Sequence, residues 1–241
     1  MKTVAITLMC YNRVDELKRV LGSVKSQTYD LSKVKLFINR EPGNDEIREI
    51  IESIDWVDTD IKHNKEKMGI NGNSYDVLER AYSEFEEVLY IEDDTVLSYN
   101  ALQWSKDMLD HYSEKVASIC LCNLWDAGDP GVSYLSRSAC YWGYMQNREQ
   151  FRAFRVPTAF PVTGMWDNSM AKYTRAFKGI YNVFPALSRA TNIGKHGEHM
   201  DPKQWEKFMG GHKYLTESRD FEYYHTNMIM DFDKIKLANL K

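Results

Sequence analysis

Val88-Leu89-Tyr90-Ile91-Glu92-Asp93-Asp94-Thr95 decides how this chain is read. Four apolar residues make a run suited to a buried strand, and the run stops on three consecutive carboxylates. Just upstream, a loop containing Gly69, Gly72 and Asn73 leads into a helix that carries Tyr75, Leu78, Tyr82 and Phe85 on one side. Just downstream, Ser98 caps a helix with Ala101, Ser105, Met108 and Tyr112 on one face, and Val116-Ala117-Ser118-Ile119-Cys120-Leu121 forms the next strand. Farther out the alternation repeats. Val4-Ala5-Ile6-Thr7-Leu8-Met9 is a strand, and Asn12 precedes a helix with Val14, Leu17, Leu21 and Val24 on one face. Val34-Lys35-Leu36-Phe37-Ile38 is a strand, Asn44-Asp45-Glu46 caps a helix carrying Ile47, Ile50, Ile51 and Ile54, and Ile61-Lys62-His63-Asn64 is a further short strand. Strands alternating with amphipathic helices predict an α/β fold. Its sheet is mostly parallel, covered by helices on both faces, and binds ligands beyond the carboxyl ends of its strands. The acidic triplet stands at such an end.

After Trp125 the regularity fades into loops rich in Asp, Gly, Ser and Tyr, with helices expected around 148–154 and 165–177. No internal repeat or low-complexity linker divides the chain. At 241 residues and 43% hydrophobic composition it fits one domain with a small appendage. The formal net charge of -4 argues against a constitutive nucleic-acid binder, which presents a dense basic surface to phosphates. The amino terminus reads directly into a strand with no signal-peptide pattern and no membrane-length apolar run follows, so a soluble cytoplasmic protein is expected. Cys10, Cys120, Cys122 and Cys140 lie irregularly in apolar sequence, the pattern of small buried hydrophobes rather than of a disulfide or zinc framework. Much of the aromatic content falls after Val132 in irregular, polar sequence, where it can line a sugar-binding surface or fill the core.

Three adjacent carboxylates repel one another and raise each other's pKa unless a cation or hydrogen-bond donors compensate them. Hard oxygen ligands suit Mg²⁺ or Mn²⁺, which bridge one or two carboxylates to substrate phosphates. The alternative is an acidic turn in which Asp93 or Asp94 caps the following helix; the position at a strand end favours the metal.

This order of elements resembles the GT-A glycosyltransferases, and the triplet resembles the Glu-Asp-Asp form of their DxD motif in the N-acetylglucosaminyltransferase I class. The resemblance implies a GT-A-type, Rossmann-like sheet flanked by helices with an irregular acceptor-side region at the carboxyl end. Residues 1–125 would be the nucleotide-sugar-binding half and 126–241 the acceptor-binding half of one catalytic domain. It makes Asp94 the metal ligand and turns Glu92 and Asp93 toward the ribose and sugar of the donor. Cys10-Tyr11-Asn12-Arg13 is similar to a turn whose arginine contacts the donor, so Arg13 is a donor-binding candidate able to pair with phosphate through its planar fork. Asn39-Arg40-Glu41 lies where the family places an acidic residue on the uracil, which gives Glu41 that role. The alternative for both is that they are ordinary loop residues. Ser138-Ala139-Cys140-Tyr141-Trp142-Gly143-Tyr144 resembles a segment that backs the donor sugar, implicating Trp142 and Gly143; Trp142 can instead be core. Met165-Trp166-Asp167-Asn168 resembles the Trp-Asp-Asp stretch that carries the catalytic base. Here Asn168 replaces the second carboxylate, so Asp167 takes the role or caps a helix. Pro185-Ala186-Leu187-Ser188-Arg189 through Gly194 resembles a Pro-x-x-Ser-Arg stretch. The loop after it, with Lys195, His196 and His199, would close over the diphosphate, freed by Asn192, Gly194 and Gly197. A zinc reading of its two histidines lacks the further ligands zinc needs. Together these ordered landmarks span Val4 to Gly197.

The implied activity is metal-dependent transfer of a sugar from a nucleoside diphosphate sugar, a UDP-sugar by resemblance, to an acceptor hydroxyl with inversion. Mn²⁺ or Mg²⁺ would be the cofactor. The acceptor is open: a glycan, a lipid-linked sugar, a protein, a small molecule or a hydroxymethylated base in DNA, the last disfavoured by the acidic net charge. A nucleotidyltransferase would need a glycine-rich loop after the first strand, where this chain has Met9-Cys10-Tyr11-Asn12-Arg13. A non-catalytic nucleotide-sugar or glycan-binding module is the remaining alternative, and the complete acidic triplet argues against it.

Overall fold

The computed structural model describes residues 2–112, 116–124, 128–155, 179–196, 201–216 and 229–230. The first half alternates as expected: β1 (Val4–Cys10), α1 (Val14–Lys25), β2 (Val34–Arg40), α2 (Asp45–Glu52), β3 (Asp58–His63), α3 (Gly69–Glu84) and β4 (Glu87–Glu92). A short β5 (Thr95–Leu97), α4 (Ala101–Tyr112) and β6 (Val116–Cys120) follow. The second half holds β7 (Ser133–Ser136), β8 (Tyr144–Asn147), α5 (Arg148–Arg155), β9 (Tyr181–Pro185), β10 (Ala190–Asn192), α6 (Pro202–Met209) and β11 (Ile229–Met230).

Among the described residues the main sheet has the order β11-β7-β9-β6-β8-β4-β1-β2-β3. The pairs β3–β2, β2–β1 and β1–β4 are all parallel, so their carboxyl ends open on one edge. β8 inserts antiparallel between β4 and β6, joining a strand of the second half to the centre of the first.

Strand β1 is buried along its whole length because it has helices on both sides. Ile6, Leu8, Leu36, Ile38, Leu89 and Ile91 pack with Leu17, Val20 and Val24 of α1, Ile47 and Ile51 of α2, and Trp104 and Met108 of α4. The alternate residues Ala5, Met9, Phe37, Val88 and Tyr90 pack with Val77, Leu78, Ala81 and Tyr82 of α3 and Phe151 of α5. The period of two thus divides apolar strands between two helical layers. All four cysteines are buried and none forms a disulfide.

Two expectations are corrected. Gly69, Gly72 and Asn73 do not form a loop ahead of α3 but lie within its first turns, and Tyr75 is 43% exposed. The buried face instead runs through Asn73, Ser74, Val77, Leu78, Ala81 and Tyr82. Its amino-terminal end is polar because Asn73 Oδ1 accepts from Asn64 Nδ2 at 3.0 Å and Ser74 Oγ meets Tyr90 Oη at 3.0 Å. The region after Trp125 is also more regular than its sequence suggests, with four short strands among the described residues between 133 and 192. Helix α5 lies where expected; the helix expected over 165–177 falls outside the described residues.

Candidate active site

Parallel pairing sets the address of the site. Met9 is level with Glu92 and Cys10 with Arg40, so the turns after β1, β2 and β4 converge at one sheet edge. Glu41 N donates to Cys10 O at 2.9 Å and Asn64 N to Arg40 O at 2.9 Å, extending the ladder one residue into the loops.

Asp93 and Asp94 are 6% and 4% exposed. Asp93 Oδ2 accepts from Tyr11 N at 3.1 Å, and its Oδ1 accepts from Arg13 Nη1 at 2.8 Å. The same Nη1 donates to Asp94 Oδ2 at 2.5 Å. The guanidinium therefore bridges both carboxylates. Burial, reinforced by the adjacent Asp94 charge, pushes the Asp93 carboxyl up to about 6, although Arg13 and the Tyr11 N–H pull it down. Burial likewise raises Asp94 against the opposing pull of Arg13 and an Asn192 hydrogen bond. For Arg13, burial works against the charge, but Asp94 and Asp93 more than offset it and hold its pKa above the ordinary value.

A second wall closes on Asp94 from the other half of the chain. β10 pairs antiparallel with β5, setting Asn192 opposite Thr95. Ile193 N donates to Asp94 O at 2.8 Å and Gly194 N to Asn192 Oδ1 at 2.9 Å. A Cβ at position 194 would overlap Asp94 Oδ2 and lie 2.8 Å from its Cγ, so this close approach requires glycine. Asn192 and Gly194 thus form a wall of the site against Asp94.

The pair fits a divalent cation. Two buried carboxylates share one guanidinium, leaving one negative charge, and Asp94 Oδ1 is buried without a hydrogen-bond partner. Among the described residues no group of three or more His, Cys, Asp or Glu side chains is assembled for a metal. An ion here would draw its other ligands from water and phosphate, as Mg²⁺ and Mn²⁺ do.

The remaining candidates have contacts of their own. Glu92 is half-buried, and its Oε1 accepts from Tyr90 Oη at 3.0 Å. Glu41 is buried beyond β2, where its carboxylate accepts from Met68 N at 3.1 Å and from Asn64 Nδ2 at 3.3 Å. Tyr11, which sequence reasoning did not single out, contributes its N–H to Asp93 while its ring lies 4.3 Å from Lys67 Nζ. Trp142 is half-buried against the cluster of Cys120, Cys122, Tyr134, Cys140, Phe184 and Ala186. Gly143 has φ +81°, and a Cβ there would sit 3.2 Å from Leu121 Cδ1 and 3.4 Å from Thr95 Cγ2. Lys195 is exposed, with Nζ 3.9 Å from Glu206 Oε2 of α6. Asp167 and His199 lie outside the described residues. On the far end of the same wall, His212 Nδ1 meets Thr191 Oγ1 at 3.1 Å and its Nε2 donates to Asn123 O at 3.1 Å, an anchor for β10 that no sequence motif signalled.

Among solved structures, TarS 1–349 from S. aureus in complex with UDP-GlcNAc is similar in fold, with a TM-score of 0.62 at 13% identity over 83% of this chain and 60% of that one. The mannosyltransferase PcManGT from Pyrobaculum calidifontis, in complex with GDP-Man and Mn²⁺, has a TM-score of 0.55 at 16% identity over 76% of this chain and 54% of that one. The chain therefore spans less than two thirds of the length of these structures. No curated protein matches it in sequence. Among the described residues no helix is long and apolar enough to cross a membrane. Residues 5–171 match glycosyl transferase family 2, a span that runs from the second residue of β1 past α5 and includes the whole acidic triplet, and the chain belongs to that family.

Proposed function

We propose that this chain transfers a sugar from a nucleoside diphosphate sugar, a UDP-sugar in the first instance, to an acceptor hydroxyl with inversion, in glycan or polysaccharide synthesis. The observation that carries the reading is the Asp93–Asp94 pair: buried at the carboxyl end of β4, bridged by Arg13, walled by Gly194 and holding the unpartnered Asp94 Oδ1. The Glu-Asp-Asp form of the triplet keeps the N-acetylglucosaminyltransferase I class as the finer likeness. TarS and the mannosyltransferase, with UDP-GlcNAc and GDP-Man in their structures, support a nucleotide-sugar donor.

In this reading Asp94 holds Mn²⁺ or Mg²⁺, and the bound ion supplies charge neutralisation for the departing diphosphate. The protein's own groups do the rest. Arg13 pairs with a diphosphate oxygen. Tyr11 N–H keeps Asp93 oriented toward the donor. Glu41, fixed by Met68 N and Asn64, offers a carboxylate lone pair to the base. Glu92 faces the donor beside Asp93, and Trp142-Gly143 and Lys195 border it on the acceptor side. Asp167 removes the proton of the attacking hydroxyl, a general-base contribution of about 10²- to 10⁴-fold.

A thermal-shift screen of UDP- and GDP-sugars with and without Mn²⁺ tests this. A ligand that binds only the native state raises its apparent stability, by about 2.7 kcal/mol at a hundred times Kd. One donor should shift wild type strongly with Mn²⁺ and weakly without it, and Asp94→Asn should lose the Mn²⁺-dependent part. A screen in which no nucleotide sugar shifts the wild type in either condition would overturn the reading.

A further inference from the structure

Arg13 occupies the place between the two carboxylates where a cation belongs. One nitrogen, Nη1, spans Asp93 Oδ1 at 2.8 Å and Asp94 Oδ2 at 2.5 Å. An ion bound by Asp94 would share Oδ2 with the guanidinium or lie within a few ångströms of it, and two cations so close in a buried site repel strongly. Both carboxylates are shielded by the chain, whereas the Arg13 side chain is 22% exposed, so the guanidinium has a path outward that they do not. It sits at the amino-terminal boundary of α1 and makes no capping bond through its side chain, so leaving the carboxylates does not break the helix end.

We propose that Arg13 closes the metal site in the donor-free protein and that the donor's diphosphate opens it. The inference rests on the reading of this edge as a diphosphate site. A diphosphate offers the guanidinium fork paired, charge-assisted bonds that replace those to Asp93 and Asp94. Once Arg13 turns to the phosphates, the two carboxylates regain their uncompensated charge and the divalent ion enters beside them. The order of binding follows: metal enters with or after the nucleotide, and metal alone binds weakly. Arg13 thereby sets the metal affinity of the free protein in addition to contacting the donor.

The test is a titration of Mn²⁺ followed by calorimetry and by the spin-resonance signal of free Mn²⁺, with and without UDP, or GDP if the thermal-shift screen selects guanine donors. Wild type should bind Mn²⁺ alone at least tenfold more weakly than it does with the nucleotide. Arg13→Gln should bind Mn²⁺ alone at least tenfold more tightly than wild type, with a smaller gain from the nucleotide. Arg13→Lys, which keeps a cation beside the carboxylates, should remain weak for Mn²⁺ alone. Circular dichroism checks that each variant is folded, and the wild-type comparison stands even where Arg13→Gln does not fold. If wild type binds Mn²⁺ equally well with and without a nucleotide that itself binds, or if folded Arg13→Gln gains nothing for Mn²⁺ alone, the arginine gate is overturned while the donor site stands. If neither nucleotide nor Mn²⁺ binds in any combination, the donor reading falls and the gate with it.

Discussion

Asp93 and Asp94 are adjacent in sequence but held differently. Asp93 has two donors, Tyr11 N–H and Arg13, whereas Asp94 shares Arg13, touches Asn192 and keeps one oxygen without a partner. That inequality is compatible with the proposed division of roles, the metal on Asp94 and orientation of the donor on Asp93. The Asp93 carboxyl also carries a pH signature. Its folded-state value of about 6 lies above the ordinary 3.8. Between those values the unfolded chain releases this proton first, so ionisation favours unfolding. In metal-free protein its contribution should therefore fall as pH rises from about 4 to about 6 and stay level above that. Asp93→Asn removes the effect. Urea unfolding across this range should show the stability difference between variant and wild type moving in the variant's favour as pH rises. A difference that is constant, or that moves the other way, would show that Asp93 is ionised throughout.

At the scale of elements, α3 shows what pattern reading resolves and what it misses. The apolar spacing places the helix, but it puts Tyr75 on the inner face and Asn73 in a preceding loop. The structure turns Tyr75 outward and brings Asn73 and Ser74 in, because the helix begins against the polar strand ends rather than against the apolar core. Leu78→Ala should accordingly cost about 2–5 kcal/mol as a buried truncation, and Tyr75→Ala under about 1 kcal/mol. Equal losses in chemical denaturation would contradict the observed rotation of the helix. The alternation from β1 through β6 was legible because strands buried on both faces read as apolar runs. The strands after 133 were not, since several of their inward positions are polar and hydrogen-bond within the sheet. Ser118 Oγ donates to Asn182 Oδ1 at 2.7 Å, and Gln146 Nε2 donates to Ala117 O at 2.7 Å. Such residues read as loop until their partners are known. The site divides in the same way. Arg13, Asp93 and Asp94 lie just past strand ends, where the pattern singles them out as candidates, whereas the contact of Asn192 and Gly194 with Asp94 joins distant segments and leaves no local pattern.

For the whole molecule, the sheet order explains why the site is composite. β1 and β4 stand side by side near the centre, their carboxyl ends supply Arg13 and the acidic pair, and β10 brings the second half of the chain against the same carboxylate through β5. β8, threaded between β4 and β6, ties the two halves into one sheet. That arrangement suits family 2 membership and a nucleotide-sugar donor, and it makes Asp94 the point on which both halves meet. The most direct measurement is release of nucleoside diphosphate from the donor selected by thermal shift, followed with Mn²⁺ and with a chelator, for wild type and Asp94→Asn. The account predicts turnover by wild type that the chelator abolishes, and a loss of at least about 100-fold in Asp94→Asn, on the scale of a group that stabilises the transition state by a few kcal/mol. Asp94→Asn turning over the donor at the wild-type rate, with the same response to Mn²⁺, would contradict it.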